Sequence, residues 1–271
     1  MNPIPAALYT LVALMLLFAV TWLLALKLRK WAIVDAIWSF SIAFNAIVFA
    51  ILRQADLGLA TMLVCGVALL YSLRLGLHLL KRTLKHQEDD PRYLEFAREW
   101  GSKANARMLL FYQFQAAGSF ALSIPFFIAI DASQANYTPW IYIGVLWCLA
   151  AIAGETMADQ QLARFKREQT NPNEVCRSGL WRYSRHPNYF FQWIFWLGLI
   201  PLCSASDYWW TSLISPLLML HFLLNVTGIP PTEKRAVASK GDAYRAYQRE
   251  TSSFLPLPPH PDPTQNRVRN L

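Results

Sequence analysis

The sequence predicts an all-α integral membrane protein, a bundle of seven helices with its N-terminus outside and its C-terminus in the cytoplasm. Three observations carry this expectation. Of 271 residues, 55% are hydrophobic and 15% charged, and mean hydropathy is +0.24. Those figures exclude disordered, collagenous and disulfide-rich chains and argue against an ordinary soluble domain. The apolar residues form long runs from residue 7 to residue 226 with no polar half. This pattern implies one membrane-embedded domain over residues 1–258, followed by a flexible Pro-rich tail at 259–271. The third observation is that Lys and Arg gather in alternate connections.

Spanning a hydrocarbon core of about 30 Å takes about 20 apolar residues in a helix, because lipid cannot satisfy free backbone groups. Seven stretches meet or approach this: Ala7 to Leu26, Trp31 to Leu52, Leu57 to Leu80, Met108 to Ile130, Trp140 to Met157, Tyr189 to Cys203 and Tyr208 to Val226. The sixth is short. With only Ser204, Ala205 and Ser206 before the seventh, the two are expected to form a helical hairpin. The first stretch lacks a basic n-region and is followed, not preceded, by its Lys/Arg cluster, which reads as a retained helix and not a cleaved signal peptide.

Lys27, Arg29 and Lys30 follow the first helix. Seven further cations lie in Lys81 to Arg107, six in Arg164 to Arg185 and seven in Lys234 to Arg269, whereas the alternate loops hold Arg53 alone. By the positive-inside rule the cation-rich connections are cytoplasmic. The net charge of +8 is thereby explained through contact with anionic membrane lipid, without a nucleic-acid partner. Cys65, Cys148, Cys176 and Cys203 form no C-x-x-C pair, so neither a disulfide framework nor a metal site is indicated.

Ionisable groups within membrane helices are functional candidates, because inserting one costs about 2.5–3.5 kcal/mol on the mildest scale. Asp35 admits two readings, a functional carboxylate or an interfacial group neutralised by Arg29 or Lys30. Tyr71, Arg74 and His78 share one face of the third helix, with snorkelling as the alternative for the two bases. Glu155 and Asp159 stand at i and i+4, suited to a polar ligand or to neighbouring Arg side chains. The densest constellation, Gly179-Leu-Trp-Arg-Tyr-Ser-Arg-His-Pro-Asn-Tyr189, offers Arg177, Arg182, Arg185 and His186 just before a helix N-terminus whose free N–H groups suit phosphate.

These residues, with Glu233-Lys-Arg and Tyr244-Arg-Ala-Tyr-Gln-Arg-Glu-Thr-Ser-Ser-Phe-Leu-Pro256, resemble the bacterial DUF1295 family. That family is similar to the superfamily of steroid 5-alpha-reductases, sterol reductases and isoprenylcysteine carboxyl methyltransferases. The strongest likeness covers residues 155–258, and Glu88-Asp-Asp-Pro-Arg-Tyr93 matches the family's loop. The resemblance implies a multi-pass enzyme of the bacterial inner membrane. Asn188 after His-Pro favours the NADPH-dependent reductases over the S-adenosylmethionine-dependent methyltransferases, which remain the alternative together with a non-catalytic lipid-binding or transport protein. The chain departs from the reductases at Phe191, where they carry Gly, and at Gln192, where they carry an acid.

Carried over residue by residue, the resemblance implies that NADPH contacts Arg74, Glu155, Asp159, Lys166, Arg177, Arg182, Arg185, His186, Asn188, Gln192, Tyr244 and Tyr247, with Tyr247 closing over the cofactor. Tyr71 would act at the substrate carbonyl, with Asp35 as its acid partner by spacing. The implied reaction is reduction of a conjugated enone in a steroid-like or other lipid: the cofactor supplies hydride and a tyrosine hydrogen bond stabilises the developing oxyanion.

Overall fold

A computed structural model describes residues 2–85, 88–133 and 139–260, so residues 261–271 of the expected tail lie outside the described residues. Most of the described residues are helical, and none of them is in a strand. Ten α-helices follow in order: α1 (Pro3–Leu28), α2 (Ile33–Arg53), α3 (Leu59–Lys85), α4 (Pro91–Trp100), α5 (Ala104–Ala132), α6 (Trp140–Glu168), α7 (Pro187–Leu202), α8 (Ile214–His221), α9 (Ile229–Lys240) and α10 (Asp242–Glu250). Among the described residues, six segments are long and apolar enough to cross a membrane: α1, α2, α3, Pro91–Ala132, α6 and Trp209–Lys240. At 16 residues α7 is shorter than these. It rises about 24 Å, less than a full hydrocarbon core.

The chain divides into two compact units. Unit 1 comprises Met1–Val145 and Leu199–Ser215; unit 2 comprises Leu146–Gly198 and Pro216–Leu271. In unit 1, α2 packs on α1, α3 and α5. Helix α1 buries a single stripe, Ala6, Thr10, Leu14, Phe18, Thr21 and Ala25, while Leu8, Val12, Leu16 and Val20 on its other faces stay exposed. A helix apolar on every side but covered along one stripe has lipid for its remaining solvent. Its start lies before the predicted Ala7, because Asn2 accepts from the Ile4 N–H (3.2 Å) and Pro3 occupies the first helical turn.

Buried polar side chains tie α2 to α3 and α5. Ser41 and Ser119 share a hydrogen bond, Asn45 donates to Ser123 (2.9 Å), and the Ser72 hydroxyl accepts from the Ala43 N–H (2.9 Å). Such bonds are the usual glue between membrane helices, where hydrophobic burial gives no net drive. Pro125 lies inside α5; nearby, the Ser215 hydroxyl donates to the Leu122 carbonyl (3.1 Å) and the Cys203 thiol to the Pro125 carbonyl (3.2 Å).

The turn into α2 is held by acids from the 88–93 stretch. Asp89 accepts from the Trp31 and Ala32 N–H groups (2.5 and 3.1 Å), and Asp90 caps α4 through the Arg92 N–H (3.0 Å). In unit 2, α6 and α7 touch where a Cβ on Gly154 would lie 2.4 Å from the Phe191 ring. The Trp193 indole donates to the Pro216 carbonyl (3.2 Å), joining α7 to the start of α8.

Candidate functional site

Helix α6 runs unbroken past the predicted boundary at Met157, so Glu155, Asp159 and Lys166 share one helix. The close approach at Gly154 lets α7 begin beside its polar half. There the Asn188 amide donates to Asp159 (3.1 Å), while its carbonyl accepts from the Tyr189 N–H (3.0 Å). The preceding loop is positioned by α6 as well. Gln161 accepts from the Leu180 N–H (2.9 Å), the Trp181 indole donates to the Ala158 carbonyl (2.9 Å), and Gly179 turns at φ +60° where any Cβ would strike Gln161. A cavity of about 410 Å³ lies against this loop, lined among others by Gln161, Phe165, Gln169, Ser178 and Gly179.

The C-terminal segment clasps the same loop. Arg185 donates to Glu233 (2.7 Å), to the Gln248 carbonyl (3.1 Å) and to the Thr251 carbonyl, and its backbone N–H reaches the Ser252 carbonyl (2.8 Å). His186 (3.2 Å) and Gln248 (2.8 Å) complete the shell of Glu233. Ser184 donates to the Phe254 carbonyl, and the Leu257 N–H to the Tyr183 carbonyl. Glu233 follows the apolar part of its segment, which ends at Val226. Burial works against its ionisation, but the bonds from His186, Arg185 and Gln248 outweigh that and hold the carboxyl down at about 2.

Tyr247 is buried, and its hydroxyl donates to the Trp181 and Ser184 carbonyls. Arg177 pairs with Glu250 and lies over the Tyr247 ring. Burial, reinforced by the charge of Glu233, pushes the Tyr244 phenol up to about 12, and burial likewise raises Tyr247, so both remain donors at neutral pH. The cations of this region therefore divide in two. Arg177 and Arg185 hold the clasp, whereas Arg182 and Lys166 are exposed and make no ion pair among the described residues.

Of the residues singled out from the sequence, eleven fall in unit 2: Glu155, Asp159, Lys166, Arg177, Arg182, Arg185, His186, Asn188, Gln192, Tyr244 and Tyr247. The structure joins Asp159 with Asn188, and Arg185 with His186. Glu155 is buried and Gln192 half-buried. Asp35, Tyr71 and Arg74 belong to unit 1, where Tyr71 is fully buried. Asp35 accepts from Arg92 (2.8 Å) and from the Tyr93 hydroxyl (2.6 Å), a partnership with the 88–93 stretch that neither reading of the sequence included. Sequence reasoning also missed Glu233 as the anchor of the clasp. Its signal was present: a lone acid beside two bases, in a chain whose other motif carries several unpaired Arg residues.

Fold and site together define a multi-pass, all-α membrane protein with a polar, basic loop locked by its own C-terminal helices. The chain belongs to DUF1295, described as a protein of unknown function, whose family model matches residues 21–251. No curated protein and no solved structure matches it.

Proposed function

We propose that the protein is an NADPH-dependent membrane reductase that saturates the conjugated double bond of a steroid-like or other lipid enone, as the resemblance to steroid 5-alpha-reductases implies. The observation that carries the reading is the start of α7: Asn188 held on Asp159, next to helix N-terminal amides, with Arg182 and Lys166 exposed and in no ion pair among the described residues. Amides and unpaired cations suit the phosphates of a dinucleotide, and an amide fixed by a carboxylate suits its neutral polar parts. When bound, NADPH would supply hydride to the enone β carbon.

In this reading Arg182 and Lys166 hold phosphate, while Asp159 fixes the orientation of Asn188. Arg177, Arg185, His186 and Tyr247 are positioning residues, because their polar atoms bind the clasp itself. The resemblance gives Tyr71 the hydrogen bond to the substrate oxygen. Equilibrium titration of the purified protein with NADPH, NADH and S-adenosylmethionine tests the reading. Binding of NADPH in preference to NADH is expected; binding of S-adenosylmethionine without either nucleotide would replace the reductase by a methyltransferase.

The proposal includes seven crossings, with the N-terminus outside and the C-terminus in the cytoplasm of a bacterial inner membrane. Support comes from the clasp. Loop residues 177–186 bond to residues 233–254, so both stand on one side and the chain between them crosses an even number of times. If the Trp209 segment crosses, α7 crosses with it, its short helix extended by flanking residues.

A further inference from the structure

The spread of Lys and Arg along the sequence implies general contact with anionic lipid, and the structure singles out one place for it. Helices α1 and α5 are pinned together twice: the Gln113 amide donates to the Met15 carbonyl (3.4 Å) and the Trp22 indole to the Asn105 carbonyl (3.0 Å). The two helices therefore run antiparallel along this seam. Met15 and Trp22 are seven residues apart and lie on one stripe of α1, which Arg29 continues. Arg29 stands about 10 Å beyond Trp22. Across the seam, the single turn Gly101–Lys103 extends past Asn105 in the same direction. The seam thus ends on two cations, one from each side.

Arg29 and Lys103 are exposed and make no ion pair among the described residues. Nearby cations are engaged: Arg82 with Asp90, Arg92 with Asp35 and Asp90, and Lys30 with the Glu88 carbonyl (3.0 Å). No Asp or Glu occurs in residues 1–34 or 100–130, so neither helix brings an acid to this end of the seam. The acids nearest Lys103 along the chain, Glu95 and Glu99, are outnumbered by Lys27, Arg29, Arg98, Lys103 and Arg107. Toward the bilayer the helices turn apolar, with Met15 and Leu24 of α1 and Leu110 and Phe114 of α5 exposed. Trp22 stands between the two zones, at the depth Trp favours beside a membrane surface. Cations above exposed apolar side chains match a phosphate joined to acyl chains; free phosphate gains nothing from the lower part.

The geometry points to a binding site for one anionic phospholipid at the α1–α5 seam, its phosphodiester between Arg29 and Lys103 and its acyl chains along the exposed faces below. The site lies within unit 1 and needs no nucleotide. Native mass spectrometry of the full-length protein in detergent, titrated with dioleoyl phosphatidylglycerol or dioleoyl phosphatidylcholine, reads it. The zwitterionic lipid should bind at least tenfold more weakly than the anionic one.

A cation at the membrane surface contributes about fivefold in affinity, so Arg29→Asn combined with Lys103→Gln should weaken phosphatidylglycerol binding about 25-fold. Both side chains are exposed, and Asn tolerates the left-handed backbone of Arg29 (φ +54°), so the fold should persist. Lys81→Gln combined with Lys85→Gln removes the same charge from other exposed positions of unit 1 and should leave the affinity within about twofold. Unchanged binding in the seam variant, or equal weakening by both double variants, would overturn the assignment. Phosphatidylcholine binding as tightly as phosphatidylglycerol would overturn it too, as would displacement of the lipid by an equal concentration of inorganic phosphate.

Discussion

Removing the charge of Glu233 should open the C-terminal clasp. Its carboxylate receives Arg185 (2.7 Å), His186 (3.2 Å) and Gln248 (2.8 Å), and the Arg185 and Glu233 side chains are only 10% and 15% exposed. Glu233→Gln keeps the shape and one carbonyl but leaves a largely buried guanidinium without its counter-ion. Complete loss of one partner of a buried pair costs about 3–5 kcal/mol. Because the Gln248 and Thr251 carbonyls still accept from the Arg185 guanidinium, the loss should be about 2–3 kcal/mol. Hydrogen exchange of the purified protein reads this directly. The Arg185 and Leu257 amides, which bond across the clasp to Ser252 and Tyr183, should exchange about 30–150-fold faster in the variant. Amides in α2 should not change. Unaltered exchange at Leu257 would refute the idea that Glu233 holds the segment down.

Three further outcomes are expected. Because the Glu233 carboxyl is depressed to about 2 from an ordinary 4.5, its contribution is full above about pH 4.5 and is lost as pH falls toward 2, so the Leu257 protection factor, with the intrinsic exchange rate divided out, should fall on acidification through that window and be flatter there in Glu233→Gln. Arg92→Met leaves Asp35 and Asp90 without their shared guanidinium (2.8 and 3.0 Å); melting should fall by a few degrees for about 1–2 kcal/mol, and Asp35→Asn in the same background should add little if the two form one unit. Tyr71→Phe should leave NADPH affinity unchanged while lowering enone turnover about 100-fold or more; undiminished turnover would remove Tyr71 from the chemistry.

Hydropathy and the placement of Lys and Arg made the membrane class and the long helices legible, because each depends on composition over about 20 residues. Ends were less legible. Helix α1 begins earlier and α6 ends later than their apolar cores, since Asn2 with Pro3 starts one helix and Gln161 to Glu168 continue the other without any apolar requirement. The Arg-rich motif was visible as a cluster, but not which of its cations would be free. That depended on Glu233 and Glu250, roughly 50 to 70 residues away, and charge pairing at that distance leaves no periodic trace. Asp35 shows the same: the 88–93 stretch was recognisable as a motif, yet its role in bridging to α2 emerges only when Arg92 and Tyr93 meet the carboxylate.

Hydride transfer from NADPH to a lipid enone, as proposed, is tested by following the transferred atom. Purified protein is incubated with a 4-en-3-one steroid and NADPH deuterated at the nicotinamide C4, and the product is examined by mass spectrometry. A saturated ketone carrying one deuterium at the former β carbon is expected, with a yield that drops sharply in Asn188→Ala and Arg182→Ala. A saturated product without deuterium, or a methylated lipid formed only when S-adenosylmethionine is supplied, would contradict it.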